Sequence, residues 1–218
     1  YRTYVRYDAR MALPAGVETA ADLLARTGAH AAVPVVPALS SLFPLGGPER
    51  GRVHGIDGDA AVSLVNALIA RATQEGAWCA LVDMPHAGLR AAHEHGVALQ
   101  RVVCVDTDRS PSSWGRIVGA LVEGIDLVVV RDPVCPPAEA RRIAARVKAQ
   151  GAVLLAHGRV SSFPVDVMLS ARTQSWQFGA CAVSRTVHVS AEGRRQPGMR
   201  RSTVLLPSPA GGAEEVRP

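Results

Sequence analysis

A glycine-containing turn near residue 58 is the first place where the residue types of this chain could do chemistry. From Gly51 the sequence reads GRVHGIDGDAAVSLVNALIARATQEGAWCALVDMP, which predicts a strand, a turn, an amphipathic helix and a second strand. Phosphate-binding loops occupy such turns and read G-x-x-x-x-G-K-S/T. Their glycines bring backbone N–H groups to the phosphates, their lysine neutralises the charge, and their hydroxyl holds Mg²⁺.

The residues that follow Gly58 lack the groups that this chemistry requires. They are Asp59, Ala60, Ala61, Val62 and Ser63. Neither a second glycine nor a lysine is present, and the acid at position 59 would repel phosphate. The sequence therefore predicts a nucleotide-binding frame that holds no cofactor, which favours partner binding over catalysis.

Three carboxylates lie at or just past the predicted ends of strands, where α/β sheets bind ligands: Asp83, Asp106 and Asp108. They could hold a metal ion or serve a small hydrolase or transferase, but capping of the following helices is favoured. No histidines or cysteines have the spacing of a metal site, and the serines lack a G-x-S-x-G elbow. We therefore expect neither a metal site nor an enzyme.

A predicted helix over residues 137–150 presents basic side chains that could contact DNA phosphate or an acidic partner. Its candidates are Arg141, Arg142 and Arg146. A solvated outer helix explains the same pattern, and it is the favoured interpretation.

A second basic set lies near the turns of the C-terminal strands. It consists of Arg194, Arg195, Arg200 and Arg201. Contact with DNA and contact with an acidic protein both remain open for it. Binding of single strands also uses aromatic rings, and only Trp176 and Phe178 are near in sequence. The sequence leaves open whether these two rings stack on a ligand or belong to the core.

Composition predicts an aliphatic globular protein of the cytoplasm. Hydrophobic residues make up 48% of the 218, and aromatic residues only 4%, as expected for parallel strands buried between helices. The net charge of +5 permits contact with nucleic acid without demonstrating it. The N-terminus is too polar for a secretory signal, and no apolar stretch is long enough to span a membrane. Cys79 and Cys104 lie in apolar runs, which predicts buried thiols in a reducing compartment.

Strand and helix patterns alternate five times, which predicts a mostly parallel α/β sheet with helices on both faces. The predicted strands of this part are 52–56, 78–82, 101–105, 126–130 and 152–156. The predicted helices are 60–74, 89–95, 111–123 and 137–150. From residue 163 the pattern predicts antiparallel strands that extend one edge of the sheet. They are 165–171, 176–178, 184–190 and 203–206.

The same patterns divide the chain into three parts. Residues 1–45 form an N-terminal arm and a helix, residues 46–206 form the core, and residues 207–218 form a tail whose Pro/Gly/Glu content predicts disorder. The arm could pack on its own domain or be lent to a second copy, which would give self-association.

The order of these parts resembles the RecA-like ATPase core. The matching segments are GRVHGIDG at 51–58, ATQEGAWCALVD at 72–83, HGVALQRVVCV at 95–105 and IDLVVVRD at 125–132. In that family the fourth strand ends in a magnesium-binding carboxylate, whereas Arg131 stands here and Asp132 follows one residue late. The catalytic carboxylate is expected just after Asp83, where the chain has Met84, Pro85 and His86. The resemblance therefore implies the fold without the hydrolysis.

Among RecA-like proteins without ATPase motifs, the chain is similar to the actinobacterial ImuA-prime proteins. The similarity lies in GDAAVSL, EGIDLVVVRDP, RRIAARVKAQGAVLL and FPVDVMLSARTQSWQFGACAVSRTVHVSAEGRR. It implies a place in the mutasome of the DNA damage response, with ImuB, an inactive Y-family polymerase homologue, and an error-prone replicative-type DNA polymerase. Translesion synthesis and induced mutagenesis are the implied functions, and RecA is a further implied contact.

A second family offers an alternative from another class. SulA-like division inhibitors are also RecA-like, lack ATP chemistry and respond to DNA damage, but they block the tubulin-like division protein. The sequence leaves this alternative open.

Overall fold

The computed structural model describes residues 31–85, 87–161, 163–193 and 198–216. The N-terminal arm, the helix predicted from residue 17, Arg194 and Arg195 lie outside these ranges. Helices in the described part are α1 (Pro37–Ser40), α2 (Ala61–Gln74), α3 (Leu89–Glu94), α4 (Pro111–Gly124) and α5 (Pro137–Gln150). Strands are β1 (Arg52–Asp57), β2 (Cys79–Val82), β3 (Val102–Val105), β4 (Leu127–Arg131), β5 (Val153–His157), β6 (Val167–Phe178), β7 (Ala182–Gly193), β8 (Arg200–Leu205) and β9 (Glu214–Glu215).

All nine of these strands form one sheet, in the order β3-β2-β4-β5-β1-β6-β7-β8-β9. The pairs from β3 through to β6 are parallel, and those from β6 to β9 are antiparallel. This is the predicted α/β architecture, a mostly parallel sheet with flanking helices and an antiparallel C-terminal extension. None of the described helices is long and apolar enough to cross a membrane.

Helices cover both faces of the parallel part because their apolar side chains recur on one side. On α2 the buried residues include Leu64, Leu68 and Ile69, and they pack in a large core together with residues 33–43. On α5 only Ala140, Ile143 and Val147 are buried, at a spacing of three and four. They join α4 in a smaller core on the opposite face.

The C-terminal strands differ from the prediction in their number and pairing. The segments 165–171 and 176–178 belong to one long strand, β6, which pairs parallel with β1 and antiparallel with β7. The register shifts between Thr173 and Ser175, where the strand bulges. The first half of β6 is buried at Leu169 and Ala171, because these side chains pack in the larger core with α2.

Where the structure describes the tail, at residues 207–216, it forms a turn and the short strand β9. Glu214 and Glu215 pair with the edge of β8, and the N–H of Val216 donates to the carbonyl of Thr203 over 3.0 Å. The hydroxyl of the buried Ser208 contacts Gly211 O at 2.7 Å and Glu214 Oε1 at 3.0 Å, and it holds the intervening turn. Local composition could not reveal these partners, because they belong to the tertiary structure.

One cysteine prediction also fails. Cys79 is buried in the central strand β2 as expected, but Cys104 is exposed. The reason is that β3 is the edge strand of the sheet, so its apolar run is only half covered.

Candidate functional site

Strand β6 closes the turn that would hold phosphate. The backbone of Gly58 has φ of +104°, and a Cβ atom there would lie 2.0 Å from the carbonyl oxygen of Ala171. That carbonyl accepts a hydrogen bond from the N–H of Ala60 over 3.2 Å. The carboxylate of Asp59 accepts from the N–H of Thr173 at 3.1 Å and 3.3 Å. The turn residues therefore bind β6, and helix α2 begins directly after them at Ala61.

Hydrogen bonds from Thr173 also hold the pKa of Asp59 below its usual range. The carboxylate is thus a fixed negative charge at neutral pH, placed where a phosphate would have to enter.

An arginine takes the place of the magnesium-binding carboxylate. Arg131 ends β4 and, with Val62 and His157, lines a small cavity of about 150 Å³. Its Nε lies 3.5 Å from Asp132, and the Asp132 carboxylate accepts the N–H of Arg159 at 2.8 Å. That hydrogen bond is the main reason why the pKa of Asp132 is lowered.

The acids at the strand ends organise the loop before α4. Asp83 is buried and accepts hydrogen bonds from the N–H of Thr107 at 2.8 Å and from Nε1 of Trp114 at 3.1 Å. Asp108 accepts from the N–H of Ser110 at 3.0 Å and from the Ser113 hydroxyl, and Ser110 is the N-cap of α4. Both acids have the turn roles favoured by sequence. The described residues contain no group of three or more side chains able to hold a metal ion.

The basic candidates do not converge on one surface. On α5, Arg142 lies 3.1 Å from Glu139 and Arg146 lies 3.7 Å from Glu123, while Arg141 is exposed. On β8, Nη1 of Arg200 donates to the carbonyl of Ser41 at 3.1 Å, and Arg201 is exposed. The arginines of α5 lie on the α4–α5 face of the sheet, whereas Arg200 of β8 reaches the opposite face. A single ligand therefore does not contact both groups of arginines at once.

The β6–β7 hairpin instead forms a groove with α2, α3 and the turn after β8. The groove has a volume of about 560 Å³, and residues from all four elements line it. They include Ser63, Glu94, His95, Trp176, Val183 and Pro209. Most of the remaining lining is small and apolar, so the groove offers a concave surface in which polar and apolar groups are mixed.

Arg185 of β7 is the charged residue at the base of this groove. Only 7% of its surface is exposed. Its Nε donates to the carbonyl of Leu206 at 2.9 Å and its Nη2 to the hydroxyl of Ser63 at 2.7 Å. The guanidinium also lies 4.9 Å from the ring centre of Trp176, a cation–π distance. Burial lowers the pKa of Arg185, but an arginine stays charged at neutral pH.

Exposed apolar side chains continue the groove to the hairpin tip. Trp176 is 45% exposed, Phe178 is 73% exposed and Val183 is 42% exposed, and the two rings lie 6.3 Å apart. The two rings are therefore not core residues. The bulge at Thr173–Ser175 turns Trp176 onto the same face as Arg185, its register partner. The amino-acid sequence alone does not reveal this site, because the strand pattern does not show where a bulge reverses the faces.

Comparison with known proteins supports the architecture. The model of the family described as MT3502 N-terminal domain matches residues 41–162, more than half of the chain. A crystal structure of the RadB recombinase superposes with a TM-score of 0.61 at 14% sequence identity, and covers 83% of this chain and 97% of that chain. At this identity the likeness shows the fold, which is RecA-like. No curated protein matches the chain.

Proposed function

The chain belongs to the MT3502 N-terminal domain family, and we propose that it is a non-catalytic RecA-like adaptor in DNA-damage-induced mutagenesis. In this proposal it acts in the cytoplasm as an ImuA-prime-type accessory protein. Its partners are ImuB and an error-prone replicative-type DNA polymerase, and together they carry out translesion synthesis. The similarity of its sequence segments to the ImuA-prime proteins supports the choice of pathway.

Closure of the turn after β1 is the observation that supports a role without ATP chemistry. The carbonyl of Ala171 stands against Gly58, and the N–H of Ala60 is already donated to it. The anionic Asp59 and the cationic Arg131 then replace the lysine and the carboxylate that a nucleotide with Mg²⁺ would need. Opening this turn would break contacts to β6, a strand inside the sheet.

The first test is ATP turnover. Purified protein is incubated with ATP and Mg²⁺, and released phosphate is measured against a buffer control. We expect no release above the control. Turnover that co-purifies with the chain and is lost in Arg131→Ala would contradict the proposal.

The second test is binding to ImuB from the same organism, measured by pull-down with the intact chain. Deleting everything after Phe163 would be a poor control, because β6 pairs with β1 and buries Leu169 and Ala171. Point variants on the surface serve better. If the folded chain does not bind ImuB, the mutasome function fails. Inhibition of the assembly of the tubulin-like division protein would then favour the SulA-like alternative.

A further inference from the structure

The buried charge of Arg185 has no ion-pair partner in the described residues, and Asp59 acts on it only through a longer-range electrostatic attraction. Within the described ranges no carboxylate lies within 4 Å of its guanidinium. Two of its five N–H donors are used, by Leu206 and Ser63, and the others have no acceptor in the described residues. A buried, unpaired cation is costly, whereas a carboxylate can satisfy a guanidinium with two parallel hydrogen bonds.

The surroundings of Arg185 are shaped for a ligand that is both acidic and apolar. The groove above it is about 560 Å³, and its walls combine polar groups with apolar side chains, among them Ala91, Ala182 and Val183. His95 at the same groove is 7% exposed, and its Nδ1 is buried without a hydrogen-bond partner in the described part. The groove therefore offers one buried ring nitrogen without a partner, on His95, and N–H donors of Arg185 that no described residue accepts.

We propose that this groove binds an acidic segment of a partner protein, with a carboxylate on Arg185 and an apolar side chain against Trp176 and Val183. The inference deepens the adaptor function and rests on it for the identity of the partner. A protein segment fits the charges better than a nucleic acid does. Glu94 lines the groove, and Glu214 bonds to Ser208 beside it. These acids repel every added negative charge, so a segment with a single carboxylate on Arg185 fits better than a nucleic acid with a phosphate at each nucleotide.

The inference can be tested with peptides and with the intact chain. Short random peptides displayed on phage are selected against the immobilised protein, and the enriched peptides are synthesised for anisotropy titrations. We expect them to carry Asp or Glu beside an apolar residue. ImuB from the same organism and a labelled oligothymidine strand are titrated in parallel.

Two variants and one matched control locate the binding. Arg185→Gln removes the buried charge, and Val183→Glu places a negative charge at an exposed position of the groove. We expect each to raise the peptide Kd at least about tenfold, as loss of a buried charge pair or like-charge repulsion does. Val103→Glu is the control, because Val103 is 38% exposed on the opposite edge strand and should change Kd less than about twofold. If Arg185→Gln unfolds, Val183→Glu still decides the matter.

The outcomes separate this inference from the adaptor function. It is overturned if no peptide is enriched, if the enriched peptides lack acids, or if Val183→Glu binds them as well as the wild type does. It is also overturned if no acidic peptide binds and oligothymidine binds the wild type more tightly than it binds Val183→Glu. If both variants bind ImuB as tightly as the wild type does, the groove is not the binding site, and the adaptor function is still supported. If the groove binds acidic peptides and the chain does not bind ImuB, the groove is supported and the adaptor function is contradicted.

Discussion

One glycine in the turn after β1 has no room for a side chain. Gly58 has a left-handed φ of +104°, and an added Cβ would meet the carbonyl of Ala171 at 2.0 Å. We expect Gly58→Ala to lower the free energy of unfolding by about 3 kcal/mol, because backbone strain adds to a clash with a buried strand. Urea denaturation of the purified variant measures this loss.

Gly76 provides the matched control. Its φ is +100°, and a Cβ there would find nothing within 4 Å. Gly76→Ala should therefore cost only the backbone strain, about 1 kcal/mol. If Gly58→Ala and Gly76→Ala lose the same free energy of unfolding, a side chain at position 58 does not clash with β6.

The sequence alone shows which phosphate-binding residue types this turn lacks, but it does not show that β6 closes the turn. The absence of lysine and the acid at Asp59 can be read directly from the chain. The partner of Asp59 is Thr173, 114 positions away, and no local pattern indicates such a contact. Residue types are thus predictable here, whereas the atoms that fill the site depend on how distant strands pair.

Among the elements, the parallel strands were the most predictable. Their continuous apolar runs and the helices between them fix the alternation, since both faces of the central strands are buried, while the edge strand β3 is half covered. β6 was divided wrongly because its second half is exposed and bulged. The groove at Arg185 was missed for the same reason, because it forms only when the bulge, α3 and the turn after β8 come together.

The structure of the C-terminal segment also depends on contacts with distant residues. Its contribution to the free energy of unfolding can therefore be predicted. Deleting residues 213–218 removes β9, the hydrogen bond from Val216 to Thr203 and the bond between Ser208 and Glu214. We expect the free energy of unfolding to fall by about 2 kcal/mol, because each partly buried hydrogen bond contributes about 1 kcal/mol. Deleting only residues 217–218 is the control. No difference between the two deletions would mean that this segment adds nothing to the fold.

For the whole molecule, stability should depend on pH through a histidine in the larger core. His54 lies inside β1, is 1% exposed and packs edge-on against Phe43 at 6.1 Å. Burial lowers its pKa to about 4 from an ordinary value of 6.5. The unfolded chain therefore takes up a proton at a higher pH than the folded chain does. The stabilisation from this residue is complete above pH 6.5 and is lost progressively as the pH falls towards 4.

The difference between the two pKa values sets the expected loss of unfolding free energy across that pH interval, which is about 3 kcal/mol. The pKa of His95 is also lowered, mainly by burial, so it acts in the same direction. Urea denaturation at a series of pH values should show the decline in the wild type and a shallower decline in His54→Leu. His93→Ala, at an exposed position on α3, is the control and should follow the wild type. If His54→Leu declines as steeply as the wild type, the acid sensitivity arises elsewhere, and His54 does not remain neutral in the folded core.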